Sequence, residues 1–308
     1  MICGAMTLTN ASRDALAAQR PPTATQPFAW QGWRLRVPRS WNAVRLEGDF
    51  AKGHALLADM DGPRLGVRWR SMKAKEIDAE LLRGVIRAEA GDDAARRAKP
   101  LPDPDTNSEV PSDHLLYVDR EVPGRDVFVS WMGSERLVEL VYHARRRDDV
   151  LRGEIIATFA DTSHANSTPW AVLGLTCAVP SDLRLKSHRL NAGDHLLEFV
   201  DAKRFVVVRQ VALAEMALRR TPLAKWLAQQ KRAGYRATGN PSPIELTLCD
   251  GRSISGLIGR FRRRLRLRSG ECVALALHDE ARDRLILIDA SDESLARVVA
   301  QTVGCDVD

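Results

Sequence analysis

Hydrophobic and polar residues alternate in short runs through both halves of the chain, as they do in half-buried β-strands. In the first half these runs fall near residues 32–37, 44–46, 54–59, 64–69, 114–118, 126–132 and 136–143. Turn residues such as Asp61-Gly62-Pro63 separate consecutive runs. Because tight turns join antiparallel neighbours and parallel neighbours need long crossovers, the pattern predicts antiparallel sheets.

Two segments of each half change to a helical period. Ile77, Leu81 and Val85 recur at helical spacing and predict a helix over residues 75–90. The other predicted helices begin at capping residues, namely Asp148 or Asp149, Thr221 before Pro222, and Ser291 or Asp292. Each half therefore contains strands, a helix, further strands and a closing helix.

The chain also repeats itself. The segment Gly32-Trp33-Arg34-Leu35-Arg36-Val37-Pro38 returns as Gly174-Leu175-Thr176-Cys177-Ala178-Val179-Pro180, and Arg136-Leu137-Val138 returns as Arg284-Leu285-Ile286. A chain of 308 residues has the length of two ordinary domains. We therefore predict a flexible arm over residues 1–26 and two like-folded domains over residues 27–163 and 169–308.

The predicted fold class is α+β, with two tandem α/β/α sandwich domains, each an antiparallel sheet packed with two helices. The opening strand of each copy ends in Val-Pro, at Val37-Pro38 and Val179-Pro180. This ending and the element order resemble the Mog/PsbP-like fold, here as a tandem pair over residues 27–161 and 169–304. The resemblance implies a binding or assembly role rather than catalysis, and it brings no functional residues with it.

The most distinctive local feature is an arginine-rich strand that begins at Gly259. Side chains of a strand point alternately to its two faces, so one face would carry Arg260, Arg262, Arg264, Arg266 and Arg268. Guanidinium groups in such a row suit an acidic protein or phosphate groups. The alternative is a solvated outer face in a chain that is rich in arginine throughout.

The distribution of charge also points to the second copy as the binding half. The net charge is +6, and residues 164–308 hold 22 Lys and Arg against 16 Asp and Glu, whereas the first half is balanced. We therefore predict a non-catalytic binding or assembly factor whose second copy contacts an acidic protein partner. Nucleic acid bound through the Arg260–Arg268 strand is the alternative. The neutral, Trp-rich first copy would supply packing or a protein-contact face.

Other chemistry finds little support in the sequence. Phosphate-loop, dinucleotide, zinc-protease and serine-elbow motifs are absent, and the seven histidines are scattered singly. We predict no catalytic residues, no metal and no cofactor. The five cysteines lack metal-type spacing and are odd in number, which argues against a disulfide framework and favours a reducing cytoplasm. No apolar run is long enough for a membrane span, and the oligomeric state stays open.

Overall fold

The computed structural model describes residues 24–73, 79–100, 114–117, 126–132, 136–143, 148–162, 165–230, 234–263 and 270–305. Most of the predicted N-terminal arm lies outside these residues, and Thr25 already begins the first strand. The first half contains β1 (Thr25–Trp30), β2 (Trp33–Pro38), β3 (Asn42–Gly48), β4 (Lys52–Asp59), β5 (Gly62–Ser71), α1 (Ala79–Ala90), α2 (Asp92–Arg97), β6 (Lys99–Pro100), β7 (His114–Tyr117), β8 (Asp126–Met132), β9 (Arg136–Tyr142), α3 (Asp149–Ala157) and β10 (Ala160–Asp161).

The second half follows a similar order of elements. It contains β11 (Ser167–Val172), β12 (Leu175–Pro180), β13 (Arg184–Asn191), β14 (Asp194–Val200), β15 (Phe205–Ala212), α4 (Ala214–Arg220), α5 (Leu223–Gln229), β16 (Tyr235–Ala237), β17 (Ser242–Thr247), β18 (Ser253–Arg263), β19 (Glu271–Asp279), a 3-10 turn (Glu280–Arg282), β20 (Arg284–Ala290) and α6 (Glu293–Gln301). Asp148 and Asp292 accept hydrogen bonds from Leu151 N and Leu295 N, which confirms the predicted caps of α3 and α6.

These strands form three antiparallel sheets. The first large sheet has the order β3-β4-β5-β9-β8-β7-β6, and the second has the order β13-β14-β15-β20-β19-β18-β16, with β17 also paired to β18. In both sheets three consecutive strands are followed by the strand of that sheet that comes last in the chain, β9 or β20, and the neighbours beyond it come progressively earlier in the chain. The two halves therefore share one strand order.

The third sheet joins the two halves. Its order is β10-β2-β1-β11-β12, and β1 meets β11 where Ala29 lies opposite Ala171. Trp30 packs edge-on against Trp170 across this junction, with ring centroids 5.2 Å apart. Buried residues of the central sheet and of one face of each large sheet form one continuous hydrophobic cluster. The copies therefore share a core instead of folding as two separate cores.

The prediction of two α/β/α sandwich domains, each one sheet packed with two helices, is wrong. The opening hairpins β1-β2 and β11-β12 leave the large sheets and form the central sheet. One side of each large sheet consequently packs against strands and one closing helix, with Ile155 of α3 and Leu295 of α6 in the same buried cluster. Only the opposite side carries helices alone, α1 and α2 in the first half and α4 and α5 in the second. The protein is thus mostly β. The prediction failed because hydrophobic patterns locate strands but do not determine which strands pair.

The opening hairpins are built alike in the two halves. Gln31 and Gly32 both have positive φ (50° and 84°), and they form the two-residue turn between paired Trp30 and Trp33. Such a left-handed turn matches the twist of a β-hairpin. The equivalent turn, Leu173-Gly174, has φ values of 51° and 77°. Arg136 of β9 and Arg284 of β20 donate hydrogen bonds to the carbonyl oxygens of Gln31 and Gly174 in these turns.

Cysteine pairing differs from the prediction. Cys249, in the turn after β17, and Cys305, after α6, form a disulfide with Cα atoms 6.2 Å apart. Sequence spacing could not reveal it because the partners are brought together by the packing of α6 beside the β17–β18 hairpin. Burial raises the pKa of the Cys177 thiol to about 12. Among the helices of the described residues, none combines the length and hydropathy needed to cross a lipid bilayer.

Candidate functional site

The arginine-rich strand begins as predicted but is compensated by acids of the same chain. Arg260 and Arg262 are exposed in β18 while Phe261 between them is buried, which gives the expected alternation. Arg260 Nη2 lies 2.5 Å from a carboxylate oxygen of Glu293. Arg262 Nε lies 3.4 Å from Glu271. The other members of the predicted row, Arg264, Arg266 and Arg268, lie outside the described residues.

A larger feature is a cleft in the first copy, between α1 and the outer half of the first large sheet. It encloses about 750 Å³, which lies within the usual range for small-molecule sites. Strands β3, β4, β5 and β9 form its floor, and α1 forms its wall. The cleft exists because α1 and α2 pack over β8 and the neighbouring part of β9, through Leu82 and Ile86, and leave β4 and β5 uncovered.

Two rows of side chains cross the floor of the cleft. Residues paired across antiparallel strands lie on one face of the sheet, and so do alternate residues of one strand. The first row runs across β4, β5 and β9 through Lys52, Arg70 and Leu137. The second row runs across β3, β4, β5 and β9 through Glu47, His54, Arg68 and Glu139. The floor is therefore charged, on a sheet face that a helix would ordinarily cover.

Arg68 lies at the centre of the second row and is held by two carboxylates. Its Nη1 contacts Glu89 of α1, and the same atom lies 3.5 Å from an oxygen of Glu139. The hydrogen bond to Glu89 raises the pKa of the Arg68 guanidinium, and burial opposes this effect. About half of the Arg68 side chain is exposed, whereas Glu139 is buried. The guanidinium is thus fixed in direction and open towards the cleft.

His54 is the titratable base of the cleft. Burial lowers the pKa of its imidazole, and the charges of Arg68 and Arg45 lower it further. Glu47 and Glu89 oppose this shift, but they are themselves engaged by Arg45 and Arg68. His54 is therefore a neutral imidazole near pH 7, able to donate one hydrogen bond and accept another.

Lys52 and Arg70 form the uncompensated part of the cleft. They lie directly opposite each other on β4 and β5, and both are exposed. Neither makes an ion pair with an acid of the described residues, whereas Arg68, Arg87, Arg152 and Arg209 do. Like charges directly opposite across a strand pair destabilise the sheet. The mouth of the cleft is consequently positive.

The described residues of the second copy do not repeat the charged floor of this cleft. Strand register places Leu287 where the first copy has Glu139, Val211 where it has Arg70, and Asp194 where it has Lys52. Leu285 and Leu287 are buried with Trp226 and Leu227 of α5. Asp194 forms ion pairs with Arg209 and Arg189, at 2.7 and 3.1 Å. The charged floor is therefore a property of the first copy and not a requirement of the fold.

Sequence reasoning missed this site. It assigned packing or protein contact to the first copy because that half is neutral overall, and it placed binding in the second. Two patterns could have indicated the cleft: Lys52 and His54 alternate along β4, as Arg68 and Arg70 do along β5, and Glu139 interrupts an apolar run. These positions meet only through the pairing of β4, β5 and β9.

A smaller crevice of about 410 Å³ lies beside the Cys249–Cys305 disulfide, where the two halves meet. Arg34 and Asp161 line it from the first half, and Thr302 lines it from the second. Within the ranges that the structure describes, no three His, Cys, Asp or Glu side chains come together as metal ligands. The first-copy cleft is the larger of the two and combines charge with apolar surface.

Sequence similarity assigns the chain to no family. The chain matches no protein-family model, and no curated protein is similar to it. The resemblance to the Mog/PsbP-like family stays a prediction from the element order. The function has to be argued from the geometry of the cleft.

Proposed function

We propose that the protein is a binding protein for an anionic ligand and that the first-copy cleft is the binding site. The observation that carries this proposal is the opposed pair Lys52 and Arg70 at the cleft mouth, without an acidic partner among the described residues. The proposal keeps the binding role expected from the sequence, places it in the other copy, and includes no catalytic step.

Lys52 and Arg70 repel each other across the β4–β5 pair. An opposed pair of like charges costs a sheet up to about 1 kcal/mol. A carboxylate, sulfonate or phosphate between Lys52 and Arg70 would replace this repulsion with two attractions. Arg offers a fixed fork of donors to such a group, and Lys adds a mobile ammonium group.

Arg68 offers further hydrogen-bond donors towards the interior of the cleft, while Glu89 and Glu139 balance its charge. Glu139 and Glu89 both contact its Nη1, so the carboxylates hold the guanidinium in place from one side. An anion at the mouth therefore meets a prearranged set of donors. Prearrangement favours binding because less side-chain freedom is lost when the ligand arrives.

The Arg260–Arg268 strand is the less favoured site. Arg260 and Arg262 already pair with Glu293 and Glu271, so an acidic partner would have to displace these carboxylates. This applies equally to an acidic protein and to the phosphates of a nucleic acid. Exposed ion pairs are weak, so the displacement is possible, but the cleft requires none at Lys52 and Arg70.

The test uses the fluorescent anion 8-anilinonaphthalene-1-sulfonate as a probe. It is titrated against the full chain and against a variant with Lys52→Gln and Arg70→Gln. We expect the double variant to bind the probe at least about tenfold more weakly, a loss of about 1.4 kcal/mol. Added salt should weaken binding to the unmodified chain more than binding to the variant, because salt screens exposed charges.

The matched control removes two cations from the second copy, with Lys203→Gln and Arg236→Gln. Both are exposed and, within the described residues, form no ion pair. The control has the same net charge as the cleft variant and should retain the affinity of the unmodified chain. Equal affinities of the cleft variant and the control for the probe would refute the proposal.

A further inference from the structure

We infer that the ligand is an amphipathic anion with a single alkyl chain of about eight carbons and a carboxylate or similar head group. This inference rests on the proposed function, since it places the head group at Lys52 and Arg70. It adds the chemistry of the rest of the molecule, which the walls of the cleft decide.

The helix wall of the cleft is apolar. Leu81, Val85 and Ala88 of α1 follow each other at helical spacing and line the cleft, whereas Leu82 and Ile86 of the same helix are buried against the sheet. The spacing from i to i+4 and i+7 places three side chains on one stripe of a helix. Leu137 adds an apolar side chain from the floor. A ligand between these walls needs an apolar body.

The length of the stripe sets the length of that body. Leu81 and Ala88 are seven positions apart, and a helix rises about 1.5 Å per residue, so the stripe is about 10 Å long. Carbon–carbon bonds are about 1.5 Å long, and the zigzag of an extended chain reduces the advance to about 1.25 Å per bond, so a chain of about eight or nine carbons spans this distance. The cleft volume of about 750 Å³ accommodates one such chain and its head group.

Gly84 leaves space in the cleft for an occupant. It lies inside α1 and lines the cleft, although glycine in a helix interior is destabilising relative to alanine. A β-carbon at this position would meet no atom within 4 Å, so packing within the described protein does not demand a glycine. The missing side chain instead leaves open space between the helix and the charged floor. An alkyl chain passing Gly84 would use that space.

The experiment measures binding of hexanoate, octanoate and decanoate to the full chain by titration calorimetry. Each added methylene that leaves water should strengthen binding about fourfold, and the gain should stop near eight carbons, where the apolar stripe ends. Octanol tests the head group, and we expect at least about tenfold weaker binding than octanoate. Vesicles containing phosphatidylglycerol test a membrane-borne chain, and no binding to them is expected.

Two glycine variants test whether the alkyl chain of the ligand lies beside Gly84. Gly84→Leu fills the cleft and should weaken octanoate binding by more than about tenfold. Gly153→Leu is the matched control, because Gly153 is an exposed helix position with the same free surroundings outside the cleft. Thermal unfolding establishes that both variants are folded. If Gly84→Leu does not fold, Gly84→Ala, which favours the helix, should still weaken octanoate binding relative to Gly153→Ala.

The outcomes separate the two proposals. If affinity is the same for all chain lengths but falls when Lys52 and Arg70 are replaced, the alkyl chain is refuted and anion binding stands. If neither chain length nor these replacements matter, both proposals fail. Binding to vesicles without binding of free octanoate would overturn the single-chain ligand, and so would equal affinity of the Gly84→Leu and Gly153→Leu variants for octanoate.

Discussion

Replacing Arg136 by methionine should destabilise the protein strongly, because this buried cation holds two segments together. Arg136 is 1% exposed, and its Nη1 donates to the carbonyl oxygen of Gln31 in the opening hairpin, at 2.7 Å. Its Nη2 donates to the carbonyl of Phe50, and its guanidinium carbon lies 4.2 Å from the centre of the Phe50 ring. The substitution removes all three contacts and retains the aliphatic stem.

The magnitude follows from these contacts. Each carbonyl left without its donor in a buried place costs about 1–3 kcal/mol. Loss of the cation–π contact adds about 0.5–2 kcal/mol. Burial lowers the pKa of the Arg136 guanidinium, so removing the charge also relieves a desolvation cost that offsets part of this loss. We expect the free energy of unfolding to fall by about 2–4 kcal/mol, as for removal of one partner from other buried polar sets.

Urea unfolding followed by fluorescence measures this change. Arg184→Met is the matched control, because Arg184 lies 4.2 Å from the same Phe50 ring but is exposed. It should cost less than about 1 kcal/mol, as surface substitutions do. If both variants unfold at the urea concentration of the unmodified chain, with equal m-values, the bracing role of Arg136 is refuted.

Two further predictions concern protons and thiols. Burial, assisted by Arg284, lowers the pKa of His195, so the unfolded chain takes up a proton more readily than the folded protein as pH falls below about 6.5. The free energy of unfolding should therefore decrease as the pH falls from about 7 to about 5. The decrease should be less steep in His195→Gln, and parallel pH profiles of the two proteins would contradict this. The Cys249–Cys305 bond closes a loop over a separation of 56 residues, so dithiothreitol should destabilise the chain by about 2–4 kcal/mol and leave Cys249→Ser unaffected. Alkylation of both thiols in the non-reduced protein would contradict the disulfide.

Local structure was predicted where neighbouring residues decide it. The alternating runs became β2, β4 and β5, and the capping aspartates Asp148 and Asp292 begin α3 and α6. Residues that are repeated in the sequence also make equivalent hydrogen bonds in the two halves. Arg284, the counterpart of Arg136, donates to the carbonyl of Gly174 at 2.5 Å, beside the second hairpin turn. Thr158 and Thr302 each accept a hydrogen bond from the opening hairpin of their own half, from Arg36 N and Ala178 N.

The first-copy cleft could not be predicted from local sequence patterns. Net charge pointed to the second copy, yet charge counted over a whole half says nothing of which cations have acidic neighbours. Arg260 and Arg262 of β18 meet Glu293 of α6 and Glu271 of β19, which lie on other elements of the fold. The cleft cations Lys52 and Arg70 meet each other instead.

The sequence by itself determined most strands of the two large sheets, the starts of α3 and α6 and the repeated order of elements, because these depend on spacing and capping over a few residues. Only the tertiary structure decided that the opening hairpins form a shared central sheet, that Cys249 reaches Cys305, and that α1 leaves β4 and β5 uncovered. Strand partners and cleft walls come from long-range packing, in which many pairings satisfy one hydrophobic pattern and only one buries the whole core.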